Sequence, residues 1–140
     1  MGTAYNRRCY ARPESRKPKT PAMSQNKQIV QTFFDAFTMS DYAAILSCLT
    51  DDIEWVIPGA VRVNGKAAFD QQIERGIETT IKLSRMTEEH NVVVAEGSIR
   101  CATRDGGYRD TLFCDVFVMQ DAKIKHLTAY LMETKDDTPK

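Results

Sequence analysis

Thr111-Leu-Phe-Cys-Asp-Val-Phe-Val-Met119 is an almost wholly apolar run with one carboxylate, Asp115, at its centre. In a strand, successive side chains point to opposite faces, so Phe113, Asp115, Phe117 and Met119 share one face. Leu112, Cys114, Val116 and Val118 share the other. Both faces are apolar enough to predict burial. An ionised carboxylate is costly in such a place, so Asp115 must either find donors or keep its proton with a raised pKa. Either outcome makes it a candidate for chemistry. The plainer alternative is a structural acid held by a tyrosine, the Trp55 indole, Arg62 or Arg100.

Outward from this run, the C-terminal half reads as strands. Thr79 to Met86, Val92 to Arg104, Tyr108 to Met119 and Lys123 to Glu133 are β-rich. They are separated by the turn-like segments Glu88-Glu-His-Asn91, Asp105-Gly-Gly107 and Gln120-Asp121. The N-terminal half has helical spacing instead. Ser24 can cap a helix that carries Ile29, Val30, Phe33, Phe34 and Phe37 on one face and ends near Thr38. Ser40 can cap a second helix with Tyr42, Ile45, Leu46 and Leu49, Asp41 in its first turn, closed by Thr50-Asp51-Asp52. Ile53-Glu-Trp-Val-Ile57 reads as a strand stopped by Pro58-Gly59. Gly65 precedes a third helix with Phe69, Ile73 and Ile77 spaced four apart.

Helices followed by hairpin-linked strands define an α+β domain, with three helices packed on one face of a curved antiparallel sheet. The 111–119 strand offers no polar face to water, so a second subunit is expected to cover the far side in a homodimer. His126 alternates away from Leu127 and should face that side. His90 falls in a turn beside Glu88 and Glu89 and reads as solvated.

The 140 residues fit one domain with a real core, and Lys plus Arg balances Asp plus Glu at 19 each. The balance is uneven along the chain. Residues 1–22 hold Arg7, Arg8, Arg12, Arg16, Lys17 and Lys19 against Glu14, punctuated by Pro13, Pro18 and Pro21. They read as a basic arm, followed by a domain over 23–134 and a polar tail over 135–140. The arm fits a flexible tail, a segment docking on a partner subunit, or a targeting or nucleic-acid-binding segment. Lacking aromatic interleaving beyond Tyr5 and Tyr10, it argues against nucleic acid as a partner.

Cys9, Cys48, Cys101 and Cys114 form neither zinc-type pairs nor a dense secreted framework, and read as reduced, mostly core-filling thiols. A hairpin centred on Gly106 would not set Cys101 opposite Cys114. No apolar run is long enough to span a bilayer and no secretion signal is evident, so a cytoplasmic location without membrane association is expected. No glycine-rich phosphate loop or ligand cluster suggests a metal, nucleotide or redox cofactor.

The order helix, helix, short strand, helix, then four long strands resembles the NTF2-like superfamily, in its SnoaL-like and ketosteroid-isomerase-like branch. The resemblance rests on Ile29-Val-Gln-Thr-Phe-Phe-Asp-Ala-Phe37, Asp51-Asp-Ile-Glu-Trp-Val-Ile-Pro58, Gly65 and the closing pair of strands, and covers roughly residues 24–134. It implies a cone whose concave sheet face carries Trp55, Ile57, Phe113, Asp115, Phe117, Leu127, Ala129 and Leu131. Phe33, Phe37, Phe69 and Ile73 would wall the hollow from the helices. Ketosteroid isomerases keep a basic carboxylate where this chain has Ile57 and an oxyanion-donating tyrosine where it has Phe33. Asp115 falls at their second, protonated acid. A donor without a base cannot move a proton from carbon, so that mechanism is not expected. Limonene-type epoxide hydrolases need two acids bridged by an arginine; their positions on the second long strand would fall near Gly97 and Ile99 and their last-strand acid near Ala129, so that reaction is not expected either. SnoaL-type polyketide cyclases can rely on one principal aspartate and are compatible with Asp115.

The resulting expectation is a homodimer that binds a small, mostly apolar molecule in a conical pocket, with Asp115 as polar anchor or acid/base residue for isomerase or cyclase chemistry. The rival is a non-catalytic interaction or accessory protein that dimerises through its sheet, its cone filled by its own side chains.

Overall fold

A computed structural model describes residues 23–134. The basic arm over 1–22, with Cys9, and the tail over 135–140 lie outside the described residues. The first helix, α1 (Gln25–Thr38), starts where the Ser24 hydroxyl oxygen accepts from the Lys27 amide at 3.1 Å. That contact satisfies one of the amide donors a helix leaves open at its start. Phe33, Phe34, Val30 and Ala36 form its buried face. The second helix, α2 (Tyr42–Ser47), is capped by Asp41, whose Oδ1 accepts from the Ala44 amide at 3.1 Å. Ser40 therefore is not the cap: it sits at φ 54 and turns the chain between the helices. Leu49 does not extend α2 but opens the first strand, β1 (Leu49–Ile57), four residues earlier than its apolar core suggests.

Pro58-Gly59 does not end the sheet there. The Ala60 amide donates to the Ile57 carbonyl at 2.9 Å, and the chain returns as a short strand, β2 (Val61–Asn64), that sequence reading does not anticipate. The third helix, α3 (Lys66–Gln72), is shorter than its periodicity implies. Ile73 is already extended at ψ 121, and Ile77 lies beyond the helix. Four long strands follow: β3 (Thr79–Glu89), β4 (Val92–Ala102), β5 (Tyr108–Gln120) and β6 (Lys123–Glu133).

The sheet has six strands in the order β2-β1-β6-β5-β4-β3. The four C-terminal strands form the expected antiparallel meander, while β1 runs parallel to β6. Parallel neighbours need a long crossover, and everything from β2 to β5 serves as one. Register shifts between Leu83 and Arg85 on β3, and between Val118 and Met119 on β5, mark bulges that bend the sheet. The three helices pack on its concave face. Among the described residues, no helix is long and apolar enough to cross a membrane.

The core lies at the closed end of the cone. Phe33 meets four other rings, those of Phe34, Phe37, Phe69 and Phe117, at centroid distances from 5.0 to 6.3 Å. These edge-on contacts add to the burial of Val30, Ile45, Leu49, Ile53 and Ile124. The two faces of β5 differ sharply. Phe113, Asp115, Phe117 and Met119 are buried as expected, whereas Leu112 is 50% exposed and Cys114, Val116 and Val118 are half-buried. Burial of both faces thus does not hold among the described residues, whose three helices all lie on the concave side.

Candidate functional site

Asp115 projects from the middle of β5 between two alanines, Ala95 on β4 and Ala129 on β6. Methyl groups on both sides leave space above the strand that larger neighbours would fill. A cavity of about 600 Å³ opens there, of the size that holds a small organic molecule. Phe33, Phe37, Phe69 and Ile73 wall it from the helices, and Trp55, Ile57, Leu127, Ala129 and Leu131 from the sheet, with Asp115 among them. Two residues expected there lie elsewhere. Phe113 and Phe117 share the concave face, but α1 presses onto it at their level: the Phe34 ring packs 5.2 Å from Phe113 and 5.7 Å from Phe117. Both rings are core, not wall.

The cavity instead extends along the sheet towards the β4–β5 hairpin. Ile81, Ile99, Cys101 and Thr111 line that end, followed by Thr103, Arg104 and Arg109, with Gln72 and Glu74 facing them after α3. Cys101 is therefore a wall residue, while Cys48 is buried and Cys114 half-buried on the convex side. All three thiols are free, and Cys101 pairs in register with Arg109 rather than Cys114. Phe34 also reaches the cavity, although its helical spacing marks it only as core. The register centres the β4–β5 hairpin on Asp105 rather than Gly106, which sets Cys101 opposite Arg109 and Ile99 opposite Thr111, all in phase with Asp115.

Among the described residues, none of the partners considered for Asp115 reaches it. Arg62 pairs with Glu54 at 2.6 Å, and Arg100 holds both oxygens of Asp110 at 2.8 and 3.0 Å. The Tyr42 hydroxyl accepts from the Gly76 amide at 3.4 Å, and Tyr108 and Tyr130 are exposed. Among the described residues, Asp115 is 6% exposed, and its Oδ1 is shut off from solvent without a hydrogen-bond partner. With no counter-charge among those residues to offset burial, the carboxyl is pushed up to about 7. At neutral pH such a group can give or take a proton. The Trp55 indole Nε1–H is likewise buried without an acceptor, its ring packed 4.8 Å from Phe69. Two of the three orphaned buried polar side-chain atoms among the described residues thus belong to the cavity wall, the third being the Thr50 hydroxyl oxygen.

The histidines take no part in the cavity. His90 sits in the β3–β4 turn at φ 55, and His126 lies half-buried with its Nε2 3.8 Å from Glu54. Among the described residues, no three His, Cys, Asp or Glu side chains are grouped to hold a metal ion.

Helices seated in a curved six-stranded sheet around an open-ended hollow make this an NTF2-like fold. The model of the SnoaL-like domain matches residues 30–127, and the chain belongs to that family. Among solved structures, an LEH-like epoxide hydrolase of M. tuberculosis is 18% identical, with 80% of this chain and 86% of that one covered at a TM-score of 0.72. A proposed polyketide cyclase from Xanthomonas campestris pv. campestris is 21% identical, with 77% and 90% covered at 0.67. An NTF2-like protein of unknown function from Cytophaga hutchinsonii ATCC 33406 is 26% identical, with 75% and 97% covered at 0.58. No curated protein matches the chain.

Proposed function

We propose that the protein binds a small, mostly apolar molecule in its cone and that Asp115 is the polar group that holds it and exchanges protons with it, in isomerase or cyclase chemistry. The observation that carries this reading is a buried carboxyl, without a partner among the described residues, on the wall of an open cavity. A purely structural acid would be expected to have found donors, because an unsatisfied buried polar group costs about 1–3 kcal/mol. A cone filled by its own phenylalanines would favour the accessory-protein reading, and the hollow beside Asp115 speaks against it.

The chemistry open to the site is limited by its other residues. Ile57 and Phe33 both face the cavity and neither can move a proton, so Asp115 has no second acid/base group of the ketosteroid-isomerase kind beside it. The positions compared with the epoxide-hydrolase residues are Gly97, Ile99 and Ala129, which carry no charge. What remains is a reaction in which one carboxyl near its titration midpoint both donates and accepts, as a ring closure or a double-bond shift requires. Native mass spectrometry of the purified protein is expected to show a bound small molecule that Asp115→Asn weakens without unfolding the chain. A ligand-free cone that also takes up no apolar probe would refute the reading.

We also propose a homodimer through the convex face. Leu112, Tyr130 and Met132 are 50%, 53% and 69% exposed, and Leu112 pairs with Met132 and Cys114 with Tyr130 across β5 and β6, giving one continuous apolar surface. Leu112→Glu with Met132→Glu is expected to turn a dimer into a folded monomer in light scattering. A wild-type monomer at micromolar concentration would remove this proposal and leave the cavity untouched.

A further inference from the structure

The mouth of the cavity differs chemically from its depth. Inside, Asp115 is the ionisable side chain on a wall of Phe33, Phe69, Trp55 and Ile57. At the hairpin end, Arg104 and Arg109 line the opening with Thr103 and Thr111, and both arginines are exposed.

Of the charged side chains that line this end, Arg104 and Arg109 are cationic and Glu74 is anionic, so the lining itself carries a net positive charge. Arg109 has Glu133 at 3.7 Å, a loose contact between two well-exposed groups. Arg104 makes no ion pair among the described residues. Its neighbour Asp105 is engaged within the turn by the Thr103 hydroxyl and by the Gly107 amide at 3.3 Å. Those bonds hold the Asp105 carboxyl below its usual range, the Thr103 hydroxyl being the larger cause, so it stays anionic but is turned into its own loop and does not line the opening. Asp110 is occupied by Arg100 on the convex side. Glu74 is the one acid that lines the mouth opposite the arginines. Nor is the loop slack: the Thr103 amide donates to the Gly107 carbonyl at 2.9 Å, and the Gly107 amide returns to the Thr103 hydroxyl at 3.1 Å.

From this arrangement we infer that the ligand of the cone is an acid with an apolar body: its hydrocarbon part enters towards Asp115, and its carboxylate or phenolate stays at the mouth on Arg104 and Arg109. Guanidinium groups suit such anions because their planar fork presents paired donors. The opposite orientation would set an anion beside a buried carboxyl that has no counter-charge, raising the cost of both. The inference rests on the cavity being a ligand site and adds the ligand's charge and direction.

Naphthalene-2-acetate and its neutral amide separate the two ideas, titrated by calorimetry into the wild-type protein and into Arg104→Gln with Arg109→Gln. Both substitutions are at exposed positions, and an unchanged melting temperature checks that the fold is kept. The acetate is expected to bind roughly tenfold more tightly than the amide at low salt. That preference should shrink in 0.5 M salt, with a screening length of about 4 Å, and vanish in the double variant. Glu74→Gln should strengthen the acetate alone. Equal binding of acetate and amide, or a preference that survives in the double variant, overturns the inference and leaves the pocket reading standing. Failure of both probes to bind overturns both.

Discussion

Replacing Asp115 by asparagine is expected to flatten the dependence of stability on pH. In the unfolded chain the carboxyl titrates near 3.8, and in the folded protein burial raises it to about 7. Well below pH 3.8 both states hold the proton and the residue imposes no penalty. As pH rises from there, the unfolded chain releases the proton first, so the folded state loses ground until its own carboxyl ionises, after which the penalty levels off. Between pH 5 and pH 8 the wild-type protein should lose about 3 kcal/mol relative to Asp115→Asn, at about 1.4 kcal/mol per pH unit over the window between the two titrations. Denaturant unfolding of both proteins at the two pH values measures it. Parallel curves would mean that Asp115 is ionised in both states.

A loss at least as large is expected from one methyl group at Gly97. A Cβ built there would stand 2.1 Å from the Lys82 carbonyl oxygen and 2.8 Å from Cζ of Phe113. The backbone carbonyl comes so near because β3 bulges between Leu83 and Arg85, directly across from Gly97. The Phe113 ring lies over the glycine while Phe34 presses on it from α1. Neither neighbour can yield without undoing the bulge or displacing core aromatics. Gly97→Ala should therefore cost about 3 kcal/mol or more, read as a fall in melting temperature or as loss of soluble protein. A variant as stable as wild type would mean that the bulge relaxes freely.

The two predictions also mark what alternation along a chain can and cannot reveal. The inward aim of Asp115 was legible in residues 111–119, since a period of two leaves one choice of face once the aromatic residues are assigned inward. The antiparallel meander and the capped first helix were legible for similar reasons: turn residues and periodicity are local. Where the hollow ends was not. Phe113 and Phe117 share the face of Asp115, and only the descent of α1, with Phe34 against both rings, makes them core rather than wall. The strand Val61–Asn64 was hidden by its brevity between Gly59 and Gly65, and its existence depends on pairing with β1. The cap of α2 passed from Ser40 to Asp41 because Ser40 takes φ 54 to turn the chain, which leaves the next residue to face the open amides. Arg104 and Arg109 carry no local signal at all. Their place at the opening follows from the length of the β4–β5 hairpin and its register.

The side-by-side placement of β1 and β6 has a temporal consequence. Leu49–Ile57 leaves the ribosome well before the edge it must join, Lys123–Glu133. Until that edge emerges Trp55 and Ile57 have the short β2 beside them, and the apolar half of the cone stays open. A nascent chain stalled before residue 123 should therefore expose this surface to chaperones, and the hollow closes only once β6 has been made.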